Sequence, residues 1–213
     1  MISVIICTRD RCDQLAEVLT SATKMIVPGD LSWEMVIVDN GSSDNTHDVI
    51  ASFSNRLPIR RVFEPKPGLS NARNCGVSEA RGSYICWTDD DVRLDPRWIA
   101  SYANAFTSHP EAAVFCGPIE PVLLGSTPAW FSANRSQLGR LLAERDLGPV
   151  SIPIDGTDGL IPYGANFAVR AAEQRLYKFD PNLGVGPGQR RLGEETSVLR
   201  EIFGKGATGW WVP

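Results

Sequence analysis

Ser83-Tyr84-Ile85-Cys86-Trp87-Thr88-Asp89-Asp90-Asp91-Val92 is the stretch whose reading decides the fold. Tyr84 to Trp87 is a short apolar run of buried-strand type, and Asp89, Asp90 and Asp91 follow it almost at once. Adjacent like charges repel, and a fold tolerates them best beside a cation or in water. The plainer reading is an acidic turn before the next helix, with Asp95-Pro96 as its N-cap and first helical residue. That accounts for Asp95 and leaves the three preceding carboxylates unexplained. An Asp-x-Asp pair at a strand end suits a hard divalent ion that also holds phosphate oxygens.

Outward from this stretch, strands and helices alternate. On its N-terminal side, Leu69, Ala72, Cys75, Gly76, Val77 and Ala80 recur three and four apart along a helix that follows Pro65-Lys66-Pro67-Gly68. Ser3 to Cys7, Met35 to Val38 and Ile59 to Phe63 read as further strands. Between them lie helices marked by Leu15, Val18, Leu19, Ala22 and Met25, and by Val49, Ile50 and Phe53. On its C-terminal side come a helix with Trp98, Ile99, Tyr102, Ala105 and Phe106, and a strand from Ala113 to Cys116. This alternation indicates βαβ units and a mostly parallel sheet. Residues 119–162 are rich in Pro, Gly and Ser, with one amphipathic piece around Leu138 to Leu142, and read as a binding segment. Order returns at Ala165 to Arg170. A Gly-rich linker, Gly184-Val185-Gly186-Pro187-Gly188, then leads to Glu194-Glu195 and a helix with Val198, Leu199, Ile202 and Phe203. The final Gly209-Trp210-Trp211-Val212-Pro213 reads as part of a strand.

Composition narrows the function. At 213 residues and 43% apolar content the chain suits a domain with a full core. A net charge of −4 argues against nucleic-acid binding through bulk positive charge. No apolar run reaches the roughly 20 residues of a membrane span, so a cytoplasmic protein is expected. The five cysteines include no CxxC pair, and Cys7, Cys86 and Cys116 lie in apolar runs, as reduced core thiols do. His47 and His109 read as solvated surface residues. Trp130, Phe131, Trp210 and Trp211 suit either sugar stacking or core packing.

In parallel α/β sheets ligands bind outside the carboxyl ends of the strands. Thr8-Arg9-Asp10-Arg11, Asp39-Asn40 and Asp89-Asp90-Asp91 each follow an apolar strand and so point to one location. Together with Gly68-Leu69-Ser70-Asn71-Ala72-Arg73-Asn74, Gly164-Ala165-Asn166-Phe167-Ala168-Val169-Arg170 and Gly193-Glu194-Glu195, these segments resemble, in order, the motifs of the family 2 glycosyltransferases. The resemblance spans nearly the whole chain. It implies the GT-A nucleotide-diphospho-sugar transferase fold, with a Rossmann-like, mostly parallel central sheet flanked by helices. Residues 1–118 would be the donor-binding half, and residues 119–213 the acceptor-binding and catalytic-base half of the same domain.

The resemblance also implies roles. Asp39 would hydrogen-bond the nucleotide base, with Thr8 and Arg9 at the edge of that pocket. Arg73 would lie near the diphosphate. Asp89 and Asp90 would hold the donor, and Asp91 a Mn²⁺ or Mg²⁺ ion, with Asp90 as a further metal contact. Inverting transfer is an in-line displacement that needs one carboxylate opposite the leaving group. Glu195 matches that base, with Glu194 as its substitute, although the family's usual residue there is aspartate. Metal-dependent members often supply a histidine after the motif that Trp210-Trp211-Val212-Pro213 resembles. The expectation is therefore a truncated C-terminus or a metal site completed by other residues. A UDP-sugar is the donor expected by analogy, and the acceptor a glycan, a lipid-linked or a small molecule, with peripheral association at the inner membrane face left open. A nucleotidyltransferase would instead need a Gly-rich, Lys-containing loop after the first strand, and Cys7 to Arg11 contains no glycine. A non-catalytic sugar- or partner-binding module has no need of acids at both the metal and base positions.

Overall fold

The computed structural model describes residues 1–157 and 160–213, with Ser136, Arg140, Gln189 and Arg190 described by backbone alone. In chain order β1 (Ile2–Thr8), α1 (Cys12–Ala22), β2 (Trp33–Asp39), α2 (Thr46–Ser52), β3 (Ile59–Phe63), α3 (Leu69–Glu79), β4 (Tyr84–Thr88), α4 (Trp98–Ser108) and β5 (Val114–Cys116) alternate. There follow α5 (Ala129–Ala133), α6 (Arg135–Leu138), a 3-10 turn at Gly139–Leu142, β6 (Pro153–Ile154), β7 (Phe167–Arg170) and α7 (Ala171–Leu176). The last elements are β8 (Gly184–Gly186), β9 (Gln189–Arg191), α8 (Glu194–Gly204) and β10 (Gly209–Trp211).

Eight strands make one sheet in the order β3-β2-β1-β4-β7-β5-β10-β6. β1 pairs in parallel with β2 and β4, β2 with β3, and β10 with β5. β7 runs antiparallel between β4 and β5, and β6 runs antiparallel on β10. The expected mostly parallel α/β sheet is therefore present, with β6 and β7 reversed. Thr8 lies level with Asp39 and Ile6 with Thr88, so β1, β2 and β4 end along one edge.

Both faces of the sheet are covered, which is why its strands read as continuous apolar runs. Ile2, Val4 and Ile6 face one core with α1, α2 and α4, while Ile5, Val36, Val38, Ile85 and Trp87 face a second core with α3 and α8. α3 approaches closely because Gly76 has no side chain: a Cβ there would stand 2.7 Å from Ile5 Cγ2. Among the described residues no helix is long and apolar enough to cross a membrane.

Three sequence readings change, and one left open is settled. Residues 184–188 are not a linker but β8 and the turn of a hairpin with β9, where Gly184 and Gly188 take φ of 87° and 74°. α4 starts at Trp98, later than Asp95-Pro96 indicated: the Asp95 side chain does cap the Arg97 N–H, but on a single turn that precedes the helix. His109 is not a solvated surface residue: it stacks on Trp210 at 3.6 Å. Trp211 is fully buried and donates its indole N–H to the Gly148 carbonyl, so it is a core residue rather than a sugar platform.

Candidate active site

The edge where β1, β2 and β4 end carries three linked polar groups. The first is built on Asp90, the middle carboxylate of the turn after β4. It is buried, accepts the Thr8 hydroxyl at 2.7 Å and accepts Arg11 Nη1 at 2.6 Å. Arg11 Nη2 reaches Asp91 at 3.1 Å, so one guanidinium spans both carboxylates. Burial raises the Asp90 carboxyl above its usual range, with the Thr8 and Arg11 contacts opposing.

The second group is built on Arg73, whose place in α3 follows from helical spacing and whose chemistry does not. It is 4% exposed over Trp87 and Phe179, in a layer otherwise apolar. A buried guanidinium needs compensating charge, and three carboxylates supply it. Nη1 lies 2.8 Å from Glu194 Oε1 and 3.6 Å from Glu195 Oε2, and Nη2 lies 3.7 Å from Asp89 Oδ1. Glu194 is buried and Glu195 partly exposed, both in the first turn of α8 after left-handed Gly193. Burial pushes the Asp89 carboxyl up to about 6; Arg73 opposes that rise, and the carboxylates of Asp91, Asp90 and Glu195 each add a smaller push upward. Burial likewise raises Glu194.

The third group holds Asp39, which is 1% exposed at the end of β2. Arg61 of β3 grips its Oδ2 with Nε at 2.9 Å and Nη2 at 2.6 Å, and the Ser42 N–H donates to Oδ1. Asn40 fastens the adjoining loop by donating to the Glu64 and Lys66 carbonyls and accepting the Gly68 N–H. Arg9 is exposed and stands 3.6 Å from Asp10. Asp10 holds the loops after β1 and β2 together by accepting the Ser43 N–H and hydroxyl.

Two segments close the site on the side of β7. A Cβ at Gly164 would lie 2.9 Å from Arg73 Nη2 and 3.6 Å from Glu195 Oε1, so this loop passes directly over the ion pairs. Asn166 anchors that loop: its Oδ1 accepts the Trp98 indole N–H and the Tyr102 hydroxyl, and its Nδ2 donates to the Pro118 carbonyl. The hairpin packs from the other side, with the Ser70 hydroxyl bonded to the Leu183 carbonyl.

The structure thus brings Thr8, Arg73, Asp89, Asp90, Asp91, Glu194 and Glu195 to one edge, with Asp39 level with Thr8. Arg11 and Arg61 were not singled out from sequence. Arg11 lies in the polar cluster after β1, but its partners are 79 and 80 residues away; Arg61 sits in a segment whose pattern marks only a strand, and its partner Asp39 is 22 residues away. Among the described residues no three His, Cys, Asp or Glu side chains form a closed metal cage. The Asp89 and Asp91 side chains are 41% and 47% exposed hard-oxygen donors. They fit an ion of the Mg²⁺ type, which binds through one or two carboxylates and completes its shell with phosphate oxygens and water.

The glycosyl transferase family 2 model matches residues 3–154. Validoxylamine A glucosyltransferase of Streptomyces hygroscopicus subsp. limoneus is 33% identical over 120 residues, 55% of this chain and 26% of that protein. Succinoglycan biosynthesis protein ExoM of Rhizobium meliloti is 27% identical over 135 residues, 62% of this chain and 43% of that protein. The chain therefore matches less than half the length of either relative. Among solved structures, S. aureus TarS 1-349 in complex with UDP superposes with a TM-score of 0.73 at 17% identity, over 95% of this chain and 54% of that one. The mannosyltransferase PcManGT from Pyrobaculum calidifontis, in complex with GDP-Man and Mn²⁺, gives 0.67 at 19% identity, over 100% and 54%.

Proposed function

The chain belongs to glycosyl transferase family 2, and from that premise we propose that it moves a sugar from a nucleotide-diphosphate donor, a UDP-sugar, to an acceptor hydroxyl with inversion. One observation carries the reading. Arg73 ties Asp89, at the end of β4, to Glu194 and Glu195, at the start of α8. A donor-side carboxylate and a base-side carboxylate thus share one cation.

In this reading Asp39 and Arg61 face the nucleotide base, with Arg9 at the rim, while Asp89 faces the ribose and Asp90 serves the donor site through the Thr8 and Arg11 side chains it holds. Arg73 lies beside the diphosphate. Asp91, with Asp89 near it, holds Mn²⁺ or Mg²⁺, which when bound supplies positive charge against the leaving diphosphate. Glu195 takes the proton of the acceptor hydroxyl, because its carboxylate is partly exposed while that of Glu194 is buried against Arg73. Residues 1–118 form the donor half, and residues 119–213 the acceptor and base half. The acceptor is a glycan, a lipid-linked or a small molecule, and a lipid-linked one would place the chain at the inner membrane face. The UDP complex of the TarS neighbour supports the donor class, and the Mn²⁺ complex of PcManGT supports the metal.

Calorimetric titration of UDP, GDP, dTDP and CDP, each with Mn²⁺ and with EDTA, tests the donor site, and Glu195→Gln tests the base. The expected result is metal-dependent binding of one diphosphate. Glu195→Gln should keep that binding and lose turnover by about 100-fold or more. Full turnover by Glu195→Gln would remove Glu195 from the mechanism, and no binding of any diphosphate with metal present would remove the donor site.

A further inference from the structure

We infer that Arg11 is a donor-site residue that exchanges partners: without ligand it neutralises Asp91, and with donor bound it gives that contact to the donor's diphosphate. The inference rests on the donor-site reading above and adds a residue to it. Its basis is an asymmetry between the two arms of the guanidinium. Nη1 sits 2.6 Å from Asp90, a carboxylate whose side chain is 6% exposed and which the Thr8 hydroxyl also holds. Nη2 sits 3.1 Å from Asp91, whose side chain is 47% exposed. The first contact is an anchor between a cation and a buried, doubly bonded anion. The second is an exposed ion pair of the kind that adds little stability, so it is the one that can be given up.

A divalent cation and Arg11 compete for the same carboxylate, because both are cations that must stand against Asp91. Asp91 turns from the singly charged guanidinium to the doubly charged ion, and Asp90 keeps Arg11 beside it. Nη2 then has N–H donors facing the place where phosphate oxygens complete the ion's shell, and guanidinium–phosphate bonds are strong and directional. No covalent bond forms or breaks in this exchange. The turn also keeps its charge balance throughout. In the structure Arg11 and Arg73 partner its three aspartates. In the complex the added divalent cation is matched by the added diphosphate.

The test uses the full chain with Arg11→Gln, and Arg11→Lys as a second variant, each checked for folding by circular dichroism and thermal denaturation. Mn²⁺ binding without nucleotide is read from the paramagnetic resonance of free Mn²⁺. Binding of whichever of UDP and GDP the wild type takes is read by calorimetry at saturating Mn²⁺. Arg11→Gln should bind Mn²⁺ alone about tenfold more tightly, since a like charge a few Å from the ion is gone. It should bind the diphosphate about tenfold more weakly. Arg11→Lys should bind the diphosphate more weakly as well, because an ammonium cannot hold Asp90 and a phosphate oxygen through one planar fork. Unchanged or weaker Mn²⁺ binding by folded Arg11→Gln, or wild-type diphosphate binding by either variant, overturns the inference. Asp91→Asn separates the two levels. Wild-type Mn²⁺ binding by Asp91→Asn sinks the metal assignment itself, whereas its loss there beside wild-type binding in Arg11→Gln sinks only the role of Arg11.

Discussion

Replacing Arg73 by methionine removes the cation on which the second cluster is built and leaves its three carboxylates facing one another. Two of them have a way out. Asp89 and Glu195 are 41% and 18% exposed and can regain water, but Glu194 is 5% exposed and cannot. Breaking a buried pair from one side costs about 3–5 kcal/mol, a large part of the roughly 5–15 kcal/mol that holds a domain together. For a chain of this length that corresponds to a fall in Tm of about 6–20 °C. The assay is thermal and urea denaturation followed by circular dichroism at pH 7, on Arg73→Met, Glu194→Gln and the double variant. The double variant removes both members of the 2.8 Å pair. It should recover about 2 kcal/mol or more of the summed single losses, as directly contacting charges do. Strict additivity would refute the reasoning, since it would mean that Arg73 and Glu194 do not sense each other. A Tm loss below about 2 °C for Arg73→Met would refute it equally, by showing that the guanidinium is not holding buried charge in place.

Two further outcomes follow from the same geometry. Gly164→Ala places a Cβ 2.9 Å from Arg73 Nη2 and 3.6 Å from Glu195 Oε1, so it should lower kcat while moving Tm by only a few degrees, because a long side chain can shift where a backbone cannot; wild-type turnover would show that the loop does not touch the reacting groups. Burial is the largest single influence on the Asp44 carboxyl and raises it, but bonds from the Thr46 hydroxyl and the Cys12 and Thr46 N–H groups together outweigh it and hold the carboxyl down to about 2. Its folded pKa lies below its unfolded one, so the stability it adds is present above about pH 4 and is lost as pH falls towards 2. Asp44→Asn should therefore lower Tm by about 2–4 °C at pH 7, with the gap to wild type closing as pH falls from 4 to 2.5; a gap that stays constant would show that the charge is not what those donors hold.

Much of this protein was legible along the chain because its physics there is periodic. Ile59–Phe63 appears with the bounds its β-branched pattern gives, and α3 begins at Leu69 where its spacing begins. Polar clusters directly after β1, β2 and β4 marked the sheet edge, since a buried parallel strand can carry such groups only where it ends. The order of the strands was not legible. β7 inserts reversed between β4 and β5, a pairing set by which edges meet in space and not by the period of any segment. The hairpin β8–β9 was hidden for a related reason, as glycines that fit a flexible linker also fit a tight turn.

The sequence by itself determined the kind of sheet, where it ends, and that acids gather there. It did so because burial and backbone geometry repeat every two or three to four residues. Only the tertiary structure decided which acid answers which base. Arg73 meets Glu194 across 121 residues, Thr8 meets Asp90 across 82 and Arg11 meets Asp90 across 79. Charge pairing falls off over a few ångströms of space whatever the separation along the chain, so the partners of these groups exist only once the fold has brought them together.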